Sequence, residues 1–469
     1  MFILILSLLL GPLVQAQSTA FPDSFLFGVA NAPGHVEDNL DDTWMRFAQK
    51  DKIRAFHQQV SPEKRLEFWS KPEIELDLAQ ELGVQVFRLG VDWGRLHTAP
   101  GLFDEAALSR YRNILKMIKD RKMKVMLTLF HFTVPRWIED QGGWKNDETI
   151  KHFLSFSQKV MKEYESDVDF WITFNEPQIF TTMAYTAGVF PPGEKNSFLS
   201  MLDLGFYKGE TIQSLQRMAQ AHRELYDWAH QRLNRPQIGI SQHMGFHDGK
   251  NIFNKFLSKF TGHFMNWYFP DLLQGKMDFF GFNYYGAEWI KGAGVDIDSE
   301  EEYSEAGRAI YPQGLLNLMQ QIRQRYPTLP QFITENGISD ETDWLRPSYL
   351  IEHLLAIAEA QKQGIPVLGY IHWTLTDNME WADGYCPKFG LVKVFRSQNL
   401  KREKRPSFSL YQEIIKNRSL TTSMRDQAWK TVQSHQGQER PFCRAEDGIT
   451  GRDEPVKRKI VLKDWRFSL

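Results

Sequence analysis

The sequence contains little cysteine and almost no net charge. Cys386 and Cys443 are its only cysteines, so at most one internal disulfide can form and no cysteine-based metal centre is expected. The formal net charge of −2 arises from 56 basic and 58 acidic residues, which gives no electrostatic reason to expect a nucleic-acid partner. We predict neither a metal nor a cofactor.

Long apolar runs are also missing, with the N-terminus as the nearest approach to one. "MFILILSLLLGPLVQAQS" is apolar from Phe2 to Val14, which is shorter than the roughly 20 residues of a membrane span. It ends in a small-residue site of the kind that signal peptidase accepts, although a basic start is lacking. Residues 1–16 are therefore predicted to be a cleaved export signal, with a short membrane anchor as the alternative. Either would make the protein secreted, periplasmic or membrane-associated.

Eight β-prone runs alternate with amphipathic helical stretches along the chain. The predicted strands cover 24–30, 84–91, 124–131, 170–176, 237–243, 279–285, 331–337 and 368–375, and helices are predicted over 105–121, 149–165, 211–233 and 348–363. Near-continuous apolar strands with helical crossovers indicate a parallel sheet covered on both faces. Eight of them in one series predict a single α/β (β/α)8 barrel over 21–418. Residues 419–469 are predicted to be a tail packed on or near the barrel.

Polar residues follow the predicted strands where each strand ends. In a (β/α)8 barrel these ends carry the catalytic groups. The set contains His35, Arg88, His131, Asn175, Glu176, Asn283, Tyr285, Glu335 and Trp373.

Two of these strands end on an Asn/Glu pair, "FNE" at Glu176 and "TEN" at Glu335. A retaining glycosidase needs two carboxylates about 5–5.5 Å apart, one as nucleophile and one as acid/base. A lone glutamate at a strand end is usually solvated or salt-bridged. Two on separate strands, each beside an asparagine, weaken that alternative.

Several longer motifs carry a family resemblance. "WITFNEP", "FITENG", "DFFGFNYY" and "WTLTDNMEWADGYCPKFGL" resemble glycoside hydrolase family 1, the β-glucosidase and β-galactosidase family, from about Phe21 to Ile415. The resemblance implies that Glu176 is the acid/base and that Glu335 is the nucleophile, which forms a glycosyl-enzyme. It also implies that Asn175 holds the sugar 2-hydroxyl.

The resemblance assigns further positions to sugar binding. Arg88 and Tyr285 would lie beside the nucleophile and keep Glu335 ionised, while desolvation would keep Glu176 protonated. Glu380 and Trp381 would hold the O4 and O6 edge of the sugar, and Trp373 would lie under its ring. His131 and Asn283 complete the predicted sugar-binding residues.

Three features depart from the family pattern. His35, in "NAPGHVED", stands where a sugar-binding glutamine is expected. Phe132 follows His131 in place of the usual tryptophan, which removes an indole N–H donor. The stretch 238–278 is also shorter than the family norm, and this predicts a more open pocket entrance.

Other segments point to one branch of the family. "GAGV", "EEYSEAGRAIYP", "ITENGISDETDWLRPSYLIEHLLAI" and "KDWRF" are similar to the galactolipid:galactolipid galactosyltransferases, which move a β-galactosyl group between two galactolipids and release diacylglycerol. The alternatives are a hydrolase of small β-glucosides or β-galactosides, and a non-catalytic sugar or lipid receptor, which would need neither glutamate. The expected partner is a carbohydrate or galactolipid. The basic run 401–405 is interpreted either as a contact with an anionic membrane surface or as a solvated helix start. The sequence does not determine the oligomeric state.

Overall fold

Eight parallel strands form a closed barrel in which every strand pairs with its neighbours in chain order. The computed structural model describes residues 18–49, 64–292, 294–440, 459–461 and 463–468, so the predicted signal at 1–16 and Cys443 lie outside it. Strands β1 to β8 span Leu26–Ala30, Val86–Gly90, Lys124–Phe130, Phe170–Asn175, Ile238–His243, Phe279–Tyr284, Gln331–Asn336 and Val367–His372. The predicted (β/α)8 barrel is confirmed, and each predicted strand overlaps an observed one.

The strands are apolar because both of their faces are buried. One set of side chains fills the barrel interior, including Val86, Met126, Ile172, Phe279 and Phe332. The alternate set faces the surrounding helices and belongs to the larger outer core. Such two-sided burial produces the continuous hydrophobic runs seen in the sequence.

Helices connect successive strands and cover the barrel. Helices α1 to α9 span Pro72–Leu82, Glu105–Asp120, Glu148–Tyr164, Glu210–Arg232, Ile252–Gly262, Pro312–Arg325, Arg346–Lys362, Pro406–Asn417 and Thr422–Ser434. The four predicted helices correspond to α2, α3, α4 and α7 within two residues at each end. Helix α2 shows why the pattern was readable: Asp104 caps its start by accepting from the Ala107 N–H at 2.9 Å, and Leu108, Tyr111 and Leu115 face the core at helical spacing.

The remaining described elements are short. They are the strands Ser18–Ala20, His97–Ala99, Leu102–Phe103, Phe246–Asp248, Ala287–Lys291, Gly294–Asp296, Val392–Phe395, Lys401–Lys404 and Ser419–Thr421, the helices Pro33–Val36, Thr43–Gln49, Trp93–Leu96, Arg136–Glu139, Pro177–Tyr185 and Phe269–Leu272, the 3₁₀ turns Gly143–Lys145, Phe198–Met201, Trp381–Asp383 and Arg396–Gln398, and the π-helical turn His263–Tyr268.

The described part of the tail packs on the outside of the barrel. Trp429 of α9 contacts Trp465 with ring centroids 4.6 Å apart, and both belong to a cluster that includes Tyr349 of α7. Arg425 forms an ion pair with the buried Glu352 at 2.7 Å. These contacts join the tail to the helix between β7 and β8.

A second tail contact reaches the loop between β6 and α6. Arg440 donates to Glu302 at 3.0 Å, and the Val461 N–H donates to the other oxygen of the same carboxylate at 2.8 Å. The Arg440 and Glu302 side chains are both buried. The tail therefore holds the start of a loop that continues through residues 304–308.

Part of the basic run 401–405 takes part in the fold, while Lys401 and Lys404 are exposed. Lys401–Lys404 is a strand paired with Val392–Phe395, and the helix begins only at Pro406. Arg402 pairs with the buried Glu75 at 3.1 Å, and Arg405 pairs with Asp377 at 2.9 Å in the interior. Arg402 and Arg405 therefore stabilise the fold, whereas contact of the exposed Lys401 and Lys404 with an anionic membrane surface stays a prediction.

The described helices include none that combines the length and the apolar character needed to cross a lipid bilayer.

Candidate active site

A cavity of about 640 Å³ opens at the carboxyl ends of the barrel strands. Nine of the twelve predicted site residues line it, namely His131, Phe132, Asn175, Glu176, Tyr285, Glu335, Trp373, Glu380 and Trp381. The other three, His35, Arg88 and Asn283, are fully buried and do not line the cavity. The structure thus brings both predicted catalytic carboxylates into one pocket.

Glu335 lies near the end of β7 and is held by two donors. The Arg88 Nη1 group donates to its Oε1 at 2.6 Å, and the Tyr285 hydroxyl donates to its Oε2 at 2.6 Å. Each carboxylate oxygen therefore has a short charged or phenolic partner, which fixes the side chain within the pocket.

Glu176 occupies the turn between β4 and the helix Pro177–Tyr185. Its φ of 43° lies in the left-handed region, which is uncommon for a side-chain-bearing residue and is found at functional sites. Its N–H donates to the Ser241 carbonyl at 2.7 Å, and Pro177 starts the helix at once. The strand ends on this carboxylate because the chain must turn sharply here, which leaves the side chain at the barrel mouth.

Two side chains contact the Glu176 carboxylate. The Asn283 amide donates to Oε1 at 2.7 Å, and His243 Nδ1 lies 3.4 Å from the same oxygen. Glu176 contacts an amide and an imidazole, whereas Glu335 contacts a guanidinium, so the two carboxylates have different surroundings.

Asn175 connects the surroundings of the two glutamates. Its Oδ1 accepts from Arg88 Nη2 at 2.7 Å and from Asn283 Nδ2 at 3.2 Å, while its Nδ2 lies 3.0 Å from His131 Nε2. A continuous set of hydrogen bonds therefore runs from Glu335 to Glu176.

Burial and charge shift the titration of both carboxyls. Burial raises the pKa of Glu335 to about 7, with Arg88 lowering it and the negative charge of Glu176 raising it further. Burial also acts to raise the pKa of Glu176, but His243 and the Asn283 amide outweigh it and lower that pKa. These directions are the reverse of the expectation that Glu335 is ionised and Glu176 protonated in the free site. The two groups interact strongly, so they titrate as a pair that shares one proton.

Aromatic rings form one wall of the cavity. Trp373 Nε1 donates to Glu380 Oε1 at 3.2 Å, which orients the indole and the carboxyl together. Burial raises the pKa of Glu380 well above its ordinary value, and the charge of Glu335 acts in the same direction. Trp381 packs against Phe132 with ring centroids 5.2 Å apart.

His35 and Phe132, the two residues that depart from the family pattern, pack within this aromatic wall. The His35 ring lies 4.0 Å from Trp381 between centroids, and its Nδ1–H donates to the Met379 carbonyl. Burial lowers the pKa of His35 to about 3, so the ring is neutral. Phe132 has a φ of 64°, and its carbonyl accepts from Trp44 Nε1 at 3.0 Å. A direct sugar contact by His35 stays a prediction.

The sequence reasoning missed several lining residues. His243 is the last residue of β5, and the strand-end rule could have selected it. Ser304, Ala306 and Arg308 come from the loop held by the tail, and Val189 from the segment after β4. Ser304, Ala306 and Arg308 lie within the segment "EEYSEAGRAIYP", which carries part of the family resemblance but was not assigned to the pocket.

The described residues contain no group of three or more His, Cys, Asp or Glu side chains arranged to hold a metal ion.

Comparison with known proteins agrees with this architecture. The model of glycosyl hydrolase family 1 matches residues 17–249 and 269–420. The galactolipid galactosyltransferase SFR2 of Arabidopsis thaliana, described as chloroplastic, is 38% identical over 95% of this chain and 82% of its own length. The beta-glucosidase-like SFR2 of Oryza sativa, also described as chloroplastic, is 36% identical over 95% of this chain and 83% of its own.

Solved structures share the fold. A β-glycosidase from Pyrococcus horikoshii superposes with a TM-score of 0.79 at 26% identity, covering 88% of this chain and 98% of its own. The family match covers most of the chain, and two relatives above 30% identity are matched over more than four fifths of their own length. This protein is an enzyme that belongs to glycosyl hydrolase family 1.

Proposed function

We propose that the protein transfers a β-galactosyl group from one galactolipid to another through a covalent glycosyl-enzyme. The observation that carries the proposal is the pair Glu176 and Glu335, which line one cavity with different hydrogen-bond partners. The likeness to the Arabidopsis galactolipid galactosyltransferase over 95% of the chain supports the substrate class.

In the first step Glu335 is the nucleophile. A carboxylate oxygen forms a bond to the anomeric carbon of the donor sugar while the bond from that carbon to the glycosidic oxygen breaks. In the reactive form the proton of the pair is on Glu176 and Glu335 is ionised, which is the minor form of the free site. Glu176 gives this proton to the departing oxygen, and diacylglycerol leaves. Arg88 and Tyr285 orient Glu335 through their 2.6 Å contacts.

In the second step Glu176 acts as the base. It takes the proton from a hydroxyl of the second galactolipid, whose oxygen attacks the anomeric carbon and breaks the ester bond to Glu335. Both carboxyls return to their starting state, and a digalactolipid is released. Because the acceptor is bound, its effective concentration is large and transfer can compete with water.

The neighbouring polar and aromatic residues hold the sugar. The family resemblance assigns Asn175 to the 2-hydroxyl, and hydrogen bonds from Arg88 and Asn283 fix the orientation of its amide. Trp373 offers an indole face, and Glu380 and Trp381 bind the far edge of the ring. These roles are those that the family resemblance implies, and the position of all four residues on the cavity wall supports them.

Hydrolysis of small β-galactosides or β-glucosides is the second candidate. The same glycosyl-enzyme serves water as acceptor, and a β-galactosidase of Saccharolobus solfataricus is 28% identical over 86% of this chain. Vesicles of monogalactosyldiacylglycerol distinguish the two. Transfer gives di- and oligogalactolipids with diacylglycerol, whereas hydrolysis gives free galactose. Efficient turnover of cellobiose with untouched galactolipid would identify an ordinary β-glucosidase.

The N-terminal segment belongs to the same proposal. Residues 1–16 are assigned to an export signal or anchor, residues 21–418 to the catalytic barrel and residues 419–469 to its tail. Exposure of the mature enzyme to a membrane surface fits a lipid substrate. N-terminal sequencing of the protein from its native source distinguishes a cleaved signal from a retained anchor.

A further inference from the structure

Helix α5, Ile252–Gly262, has its apolar side toward solvent. The side chains of Ile252, Phe253, Phe256 and Phe260 are 90%, 64%, 69% and 49% exposed. A surface helix of a soluble protein ordinarily turns such residues toward the core. Contiguous exposed apolar surface of this kind marks an interaction site.

The opposite side of α5 is polar and buried. Asn254 and Ser258 face the protein, at 8% and 4% exposure. Asn254 Oδ1 accepts from the Gly292 N–H at 3.2 Å, and the helix start is capped by Asn251, which accepts from the Asn254 N–H at 2.8 Å. The helix is thus fixed with its polar face inward, and the outward direction of its phenylalanines is set by these bonds.

The exposed side of α5 is also basic. Lys255 and Lys259 are exposed and one turn apart, on the flank of the apolar stripe. No Asp or Glu occurs between Asp248 and Asp271. Aromatic and aliphatic side chains bordered by lysines are typical of helices that lie in the interface of a lipid bilayer.

The helix stands beside the mouth of the active-site cavity. It follows β5, whose last residue His243 lines the cavity. The adjoining sheet edge exposes Val295 and Ile297. Lys250, just before α5, pairs with Asp298 at 2.8 Å, which joins the helix to the loop that reaches Arg308 in the cavity wall.

A second apolar segment follows β4 on another part of the cavity rim. Val189 lines the cavity and is 42% exposed, and the segment 198–207 exposes Phe198, Leu199, Leu204, Phe206 and Tyr207. Its Asp203 accepts from the Tyr268 hydroxyl at 3.2 Å, which ties the segment to the helical turn after α5. This hydrogen bond connects segment 198–207 to the chain that directly follows α5.

Helix α5 also falls in the gap of the family match. The matched ranges end at residue 249 and resume at 269, so residues 250–268 are outside the matched family pattern.

We propose that α5, together with segment 198–207, docks the protein on a lipid bilayer so that the cavity mouth faces the headgroups. The phenylalanines enter the interface, and the lysines contact anionic headgroups. The part that concerns galactolipid turnover rests on the proposed function, whereas the docking itself does not.

Vesicle binding of the full chain tests the docking. The variant Phe253→Ser/Phe256→Ser/Phe260→Ser should bind phosphatidylcholine vesicles containing an anionic phospholipid at least about tenfold more weakly than the unaltered protein. Its hydrolysis of a nitrophenyl β-galactoside should stay unchanged. Leu102→Ser, which alters an exposed apolar residue outside both segments, is the matched control and should bind normally. The variant Lys255→Ser/Lys259→Ser should lose only the part of binding that depends on anionic lipid and salt.

A local probe separates α5 from any other anchor in the chain. An environment-sensitive dye attached through Phe256→Cys should shift its emission to shorter wavelength when vesicles are added, and the same dye at Leu102→Cys should not. Absence of the shift at position 256, or normal vesicle binding by the triple serine variant, would overturn the docking proposal. Light scattering tests whether a second copy of the chain, instead of a bilayer, binds this surface. A dimer that the triple variant converts to monomer, with vesicle binding unaltered, would assign the surface to a second copy and also overturn the proposal.

The two proposals fail in different ways. Vesicle binding through α5 without any oligogalactolipid product would contradict the proposed function and leave the docking intact. Oligogalactolipid synthesis on vesicles that is unaffected by the triple variant would keep the proposed function and remove the docking.

Discussion

Arg88 and Glu335 form a buried ion pair with an Nη1–Oε1 distance of 2.6 Å. The same guanidinium donates to Asn175 at 2.7 Å and is itself held by the Thr334 carbonyl at 3.0 Å and the Thr128 hydroxyl at 3.2 Å. One cation therefore orients both the proposed nucleophile and the residue beside the acid/base. This pre-organisation is the basis for the roles tested below.

Replacing Glu335 by glutamine should abolish turnover of every substrate. An amide can still accept from Arg88, so the fold should persist, but it cannot form the glycosyl-enzyme. We expect a loss on the order of 10⁴-fold or more, for an activated aryl galactoside as well as for galactolipid. Steady-state rates beside a thermal denaturation curve measure this. A folded variant within tenfold of the original rate would exclude Glu335 as the nucleophile.

Replacing Glu176 by glutamine should affect substrates unequally. A poor leaving group needs the proton of Glu176, whereas a dinitrophenolate leaves without it. Added azide should restore the rate on the dinitrophenyl galactoside and yield the β-galactosyl azide, because azide attacks the glycosyl-enzyme without a base. The product is identified by chromatography. An equal loss of rate on both substrates, with no effect of azide, would contradict the assignment of Glu176 as the acid/base.

The pH dependence of kcat/KM should be bell-shaped. The active form carries one proton on the Glu176–Glu335 pair. With the pKa of Glu335 raised to about 7, loss of that proton should reduce kcat/KM about tenfold per pH unit above about 7. The pKa of Glu176 is lowered from 4.5, so the acid limb should lie below pH 4.5. His243→Gln should move the acid limb upward, since the imidazole lowers that pKa. A profile that is flat from pH 5 to 9 would contradict the shared proton.

Replacing Arg440 by methionine should affect lipid turnover more than aryl galactoside cleavage. The change leaves the buried Glu302 without this cation, which costs about 3–5 kcal/mol locally. The adjoining residues 304–308 line the cavity and should lose order, while Glu176 and Glu335 keep their contacts. KM for vesicle galactolipid should rise several-fold, with little change for the aryl substrate. Deleting 419–469 should have the same selectivity and a larger loss of stability.

The matched control for Arg440 is Arg466→Met. Arg466 pairs with Asp464 at 2.8 Å, but both side chains are about half exposed, so the pair contributes little. Its loss should leave both activities unchanged. If Arg440→Met and Arg466→Met behave alike, the tail has no specific influence on the cavity.

The barrel and the meeting of Glu176 and Glu335 in one cavity were predictable because their signals are local. Apolar runs such as 170–176 identify strands, and barrel geometry then brings all strand ends to one face. That rule selects both Glu176, which directly follows β4, and Glu335, which lies near the end of β7. His243 obeys the same rule and was simply not selected.

Other features depend on contacts that no local pattern records. The Arg440–Glu302 pair joins residues 138 positions apart, and the burial of His35 results from indoles contributed by the end of the barrel. Helix α5 was missed for a different reason. The periodicity of a sequence shows that a helix has an apolar side, and that side is normally taken to face the core. In α5 the polar side is buried and the apolar side is exposed.

The orientation of Asn175 has a consequence for its neighbour. Because its Oδ1 receives hydrogens from Arg88 and Asn283, its Nδ2 must supply one to His131 Nε2. That ring nitrogen is therefore bare, and the imidazole hydrogen resides on Nδ1, in agreement with a pKa that burial holds well below the usual value. His131 is thus confined to a single neutral tautomer. Nitrogen-15 spectra of the ring should show it unchanged across the working pH range, as a built-in reference against which the titrating glutamates can be followed.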